Sequence, residues 1–120
     1  MATAKLAVYD TSKGFSSFVK HYFSKRVDIE VCTSKKKFSL EWFKNFKHCF
    51  FVVNDIEDLF NLMKVAQLHN EVVAGSPSRI LEMKIKTVND QDVKVMDFSL
   101  NKNELMLYID NYLKNNQLLE

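Results

Sequence analysis

Cys49 to Val53 (CFFVV) is a run of five residues with no polar side chain in it. A strand with no polar face has no side for water, so it must lie inside a sheet that is covered above and below. Sheets of that kind are built from parallel strands. Each parallel pair needs a long crossover, usually a helix, to bring the chain back to the same end. The run therefore demands strands alternating with helices on both sides of it.

The rest of the sequence supplies that alternation. Lys5 to Tyr9 (KLAVY) is a short apolar run stopped by the turn residues Asp10-Thr11-Ser12. Phe15, Phe18, Val19, Tyr22 and Phe23 then recur at the spacing of one helical face. Asp28 to Thr33 (DIEVCT) alternates at period two, as a half-covered strand does. Ser39 is placed to cap a short helix that buries Leu40, Phe43 and Phe46. After the central run, Asn54-Asp55 opens a helix whose apolar residues are read as Ile56, Leu59, Phe60, Met63 and Ala66. Glu71 to Ala74 (EVVA) is a fourth strand, ended by Gly75-Ser76-Pro77.

From Ser78 to Asp92 the pattern allows two readings, a short helix or a hairpin strand turning at Val88 to Gln91, and the helix is preferred. Val93 to Phe98 is the fifth strand. Asn101 with Glu104 three residues on forms a capping box before a last helix through Leu105, Ile109, Tyr112 and Leu113. The expected architecture is a three-layer α/β/α sandwich, a doubly wound five-stranded parallel sheet in one domain spanning residues 1–120.

Composition narrows the function. Seventeen basic against fifteen acidic residues give a net charge of +2, without the basic excess that nucleic acid or an anionic membrane requires. No apolar run approaches the roughly 20 residues that cross a bilayer. The N-terminus enters its first strand without signal-peptide anatomy, so a cytoplasmic protein is expected. Cys32 and Cys49 lack metal-ligand spacing and read as free thiols. The chain has only two glycines, few for cradling a cofactor.

Ligands of such sheets bind outside the carboxyl ends of the strands. Four loops qualify: Asp10 to Gly14, Asn54 to Asp58, Gly75 to Pro77, and Asp97 to Asn101. Asp10 and Asp55 (or its neighbour Asp58) are carboxylates that suit Mg²⁺ if they meet, and helix caps if they do not. Thr11-Ser12-Lys13-Gly14 has hydroxyls and a glycine at a helix start, where a phosphate would bind. His21, His48 and His69 are dispersed, and Lys35-Lys36-Lys37 reads as a solvated loop. Trp42 is a candidate exposed contact. On the last helix, Leu105 to Ile109 (LMLYI) covers more than one face, so Met106, Leu107, Tyr108 and Tyr112 are the candidate surface for a protein partner or a second copy.

This arrangement resembles the response-regulator receiver domain (CheY-like) along nearly the whole chain. The resemblance implies an acidic pair after the first strand, an acceptor Asp after the third, Thr or Ser after the fourth and Lys-Pro after the fifth. Here Tyr9-Asp10 keeps one acid of the pair. The acceptor position falls on Asn54 or Asp55, with Phe50 to Val53 favouring Asn54. Ser76 stands at the hydroxyl position, and Phe98-Ser99 where Lys-Pro belongs. The pocket of Asp10, Asn54, Asp55, Ser76 and Phe98 thus looks like a receiver site without its chemistry. The expectation is a pseudo-receiver in two-component signalling that acts by protein contact, with no enzymatic role and no bound cofactor, Mg²⁺ being held weakly if at all by Asp10 and Asp55. Two other readings stay open. One is a flavodoxin-like FMN-binding protein, to whose phosphate loop Val8 to Ser16 is similar. The other is a receiver that still phosphorylates Asp55.

Overall fold

The computed structural model describes residues 5–68, 71–87 and 93–118. Its strands are β1 (Lys5–Tyr9), β2 (Asp28–Cys32), β3 (His48–Val52), β4 (Glu71–Gly75) and β5 (Lys94–Val95), and its helices α1 (Gly14–Phe23), α2 (Leu40–Phe43), α3 (Ile56–Val65), α4 (Arg79–Thr87) and α5 (Lys102–Asn115). The strands form one sheet in the order β2-β1-β3-β4-β5, and every pairing is parallel. The central run lies where its composition requires: Cys49, Phe50 and Phe51 are fully buried, with β1 on one side and β4 on the other.

Because strand side chains alternate, the sheet divides its apolar residues between two cores. Leu6, Val8, Phe50 and Val52 meet Phe15, Val19 and Phe23 of α1 and Ile109, Tyr112 and Leu113 of α5. Ala7, Tyr9, Cys49 and Phe51 meet Phe43 of α2, Leu59, Leu62 and Val65 of α3, and Ile85 of α4. This is the three-layer doubly wound arrangement expected from the sequence.

Several details differ from the sequence reading. Residues 79–87 are helical, while the turn proposed at Val88 to Gln91 and His69 lie outside the described residues. The fifth strand shrinks to two residues. Asp97 ends it by accepting from the Ser99 N–H at 2.8 Å and the Ser99 hydroxyl at 2.6 Å, a side-chain turn that competes with pairing. In α3 the buried stripe is Asp58, Leu59, Leu62 and Val65, whereas Ile56, Phe60 and Met63 face solvent. The expected apolar face of α3 holds at Leu59 and is misassigned at Ile56, Phe60 and Met63. The capping box of α5 is present in both directions, at 2.9 Å from Glu104 N–H to Asn101 and 3.0 Å from Asn101 N–H to Glu104.

At the opposite end of the sheet from the candidate loops, His48 is buried. Its Nδ1 lies 3.0 Å from the Tyr112 hydroxyl and 3.3 Å from a Glu71 carboxylate oxygen. Burial disfavours the charged ring most, Lys47 and Lys94 add to that, and Glu71 alone favours it, so the imidazole binds its proton less readily than an ordinary histidine. The unfolded chain then takes up a proton that the folded one refuses once pH falls below the ordinary value of 6.5. Stability contributed by neutral His48 is present above that pH and is lost below it. The melting temperature should fall between about pH 7 and pH 5, and His48→Gln should flatten that slope. An unchanged slope in the variant would assign the acid sensitivity to another group.

Candidate functional site

The carboxyl ends of β1 and β3 bring Asp10, Thr11, Asn54 and Asp58 into one polar cluster. Asp10 is fully buried and its carboxylate accepts four hydrogen bonds. They come from Ser12 N–H at 3.1 Å, Ser12 Oγ at 2.7 Å, Ser16 N–H at 2.9 Å and Asn54 Nδ2 at 3.3 Å. The amides at the start of α1, which would cradle a phosphate, are thus turned onto the chain's own anion. The glycine of this loop is not the residue under conformational demand. Lys13 takes the left-handed φ of 70°, and no glycine among the described residues has positive φ. A non-glycine residue held there stores on the order of 1 kcal/mol.

Asn54 joins two carboxylates. Its Nδ2 donates to Asp10 and, at 3.3 Å, to Thr11 Oγ1, while its main-chain N–H donates to Asp58 Oδ2 at 3.0 Å. Asp58 is also fully buried, with the Tyr9 hydroxyl and Thr11 Oγ1 each donating to it at 3.4 Å. Burial, reinforced by the nearby Asp55, holds its carboxyl above the usual carboxylate range. The same burial, with the Asp58 charge beside it, pushes the Tyr9 phenol up.

Asp55 does not join this cluster. One of its oxygens caps α3 by accepting from Asp58 N–H at 2.9 Å, and the other pairs with the Lys35 ammonium. Lys35 also lies 3.5 Å from Glu57. Its hydrogen bond holds the Asp55 carboxyl below the ordinary range. Asp10 and Asp55, expected as a shared metal pair, are therefore engaged separately. Three of the four hydrogen bonds fall on Asp10 Oδ1 and one on Oδ2, so Mg²⁺ would meet a single carboxylate already held by Ser12, Ser16 and Asn54, with no second acid beside it from Asp55. The residues present do not fit the ion well.

Ser76 is buried, and its hydroxyl is committed to the main chain. It donates to the Val53 carbonyl at 2.6 Å and accepts from Ser78 N–H at 3.1 Å. Phe98 stacks on Phe15 with centroids 5.2 Å apart and helps line an apolar groove of about 490 Å³ with Phe18, Leu100 and Leu105. Of the four candidate contacts on α5, only Leu107 is broadly exposed, at 61%. Met106 and Tyr108 are half-buried, and Tyr112, expected from the sequence as a surface contact, packs inside against His48 and Phe50. Trp42 is half-buried against Phe43 and Phe46.

Sequence reasoning missed Lys35 and the burial of Asp58. Lys35 sits in a charge run read as solvated, and only the fold brings the β2–α2 loop beside the start of α3. Asp58 stands in the sequence only as the alternative to Asp55 for a carboxylate beside Asp10. Its burial follows from its place on the inner side of α3, which the misassigned face concealed.

No protein-family model matches the chain, and no curated protein matches it. Among solved structures, it is similar to a CheY-like response regulator receiver domain protein from Methanospirillum hungatei. The identity is 15%, the match covers 97% of this chain and 98% of that one, and the TM-score is 0.69. It is also similar to a signal receiver domain from Vibrio parahaemolyticus at 12% identity, covering 98% and 95% of the two chains with a TM-score of 0.65. The chain has the flavodoxin-like fold of receiver domains.

Proposed function

We propose that this chain is a receiver-like signalling module that works without phosphorylation, through contact with protein partners. One observation carries the reading: an amide, Asn54, points at Asp10, while the neighbouring acid Asp55 is turned away to Lys35. A carboxylate oxygen is needed to attack phosphorus and form an acyl phosphate. An amide at that position leaves no such nucleophile. The hydroxyl of Ser76, tied to Val53, and the apolar Phe98 supply no cation or free donor to read a phosphoryl group. In that loop the Ser12 and Ser16 amides are given to the Asp10 carboxylate and the Lys13 amide to the Asp10 carbonyl, which speaks against a flavin phosphate there.

The test is an amide NMR titration with Mg²⁺ and beryllofluoride, a phosphoryl mimic. Unmoved resonances are expected. Shifts gathered at Asp10, Asn54 to Asp58 and Ser76 would mean a working acceptor and would end the proposal. Asn54→Asp supplies the positive control. It sets a carboxylate beside Asp10 in place of the amide, so it should lower the melting temperature without Mg²⁺ and recover with it. The unsubstituted chain should show no such dependence.

A further inference from the structure

We propose that two copies of this chain associate through α3, packed antiparallel about a two-fold axis near Phe60. The inference rests on what α3 exposes and holds whether or not the acceptor pocket is silent. Ile56, Phe60 and Met63 are 47%, 57% and 40% exposed. Their spacing of four and then three residues makes a single stripe along the outer side of the helix, the spacing by which helices pair. Asp58 and Val65, on the opposite side of the same helix, are buried against the sheet. The stripe is therefore surplus to the fold.

Charge selects the occupant. Glu57 and Lys64 are seven residues apart and lie on one flank of the stripe. Both are exposed, and Lys64 has no carboxylate partner among the described residues. A two-fold axis that reverses one helix against the other brings like flanks together. Glu57 of each copy then faces Lys64 of the other, and two opposite-charge pairs form at once. A parallel pairing would set that flank against the side holding Leu59 and Ala66, leaving Lys64 without an acid and Glu57 with Lys35 alone. Glu57 leans toward Lys35, ahead of α2, so the other flank of α3 faces α4. There Ile80 and Met83, 70% and 67% exposed, widen the apolar face. Such a patch covers on the order of 500 Å² per copy, below the roughly 800 Å² of a standard interface. The exposed Arg79 and Lys84 of α4 add like charge at its margin. The dimer is accordingly weak, with a Kd on the order of 10–100 µM.

Sedimentation equilibrium across that concentration range should show the mass rising from 14.1 kDa toward twice that value. Phe60→Glu, a change at an exposed position, should hold the protein at monomer mass. Glu57→Lys and Lys64→Glu should each weaken association about 3- to 10-fold, and the two reversals together should restore it. Circular dichroism on every variant checks that the fold is intact. A monomer at all concentrations would overturn the proposal, as would a dimer indifferent to Phe60→Glu or a double reversal that restores nothing. A dimer lost instead with Leu107→Glu would move the interface to α5 and overturn it equally.

Discussion

Phe50→Ala is expected to cost about 3–5 kcal/mol, the range for removing a large aromatic from a packed interior. Phe50 is fully buried in the central strand. Its ring meets Phe15 at 6.0 Å and Tyr112 at 5.3 Å between centroids, so it joins β3 to both α1 and α5. None of these neighbours is free to collapse into the space. Phe15 is stacked on Phe98, and Tyr112 is bonded to His48. A domain of this size has about 5–15 kcal/mol in all, so one substitution would remove a large part of its stability. Chemical denaturation measures this directly. A loss below about 1.5 kcal/mol would mean that the two helices are held to the sheet mainly by other contacts.

Gly75→Ala comes next, at about 1–3 kcal/mol. A Cβ at Gly75 would stand 2.5 Å from Phe98 Cε1 and 2.8 Å from the carbonyl oxygen of Met96. The ring could swing away only by giving up its stack on Phe15. The carbonyl belongs to a residue whose own N–H is bonded to Ala74 at 2.7 Å, so it yields only if the end of β5 moves off β4. The two obstacles can be separated. In a double-mutant cycle with Phe98→Ala, part of the cost should return and the part due to the Met96 carbonyl should remain. Complete rescue would show that the main chain adjusts freely. No loss in the single variant would show that this corner is not closely packed.

The sequence carried the sheet more reliably than the helix faces, for a physical reason. Runs such as Lys5 to Tyr9 and Cys49 to Val53 are apolar because they are covered on both sides, so composition alone locates them within a residue. Helix α3 is apolar on opposite sides, and periodicity cannot say whether Phe60 or Leu62 meets the sheet. The last helix shows the converse error, since Tyr112 looked like surplus until His48 and Phe50 were found beside it. In the candidate site, Asp10 and Asn54 were legible from their positions at strand ends. The outward turn of Asp55 was not, because its partner Lys35 lies twenty residues earlier in the chain and on another loop.

The sheet's two edges have a consequence for how the molecule avoids its own kind of aggregation. Edge strands carry unpaired main-chain groups and invite another chain to add on. On one side β5 is two residues long, too short to template a strand. On the other, β2 alternates Asp28 and Glu30 with its apolar residues, so an incoming copy in register would stack carboxylate against carboxylate. Growth of a continuous sheet from copy to copy is blocked at both ends. Encounters between copies are left to the helices, where a two-fold contact closes on itself and stops at two.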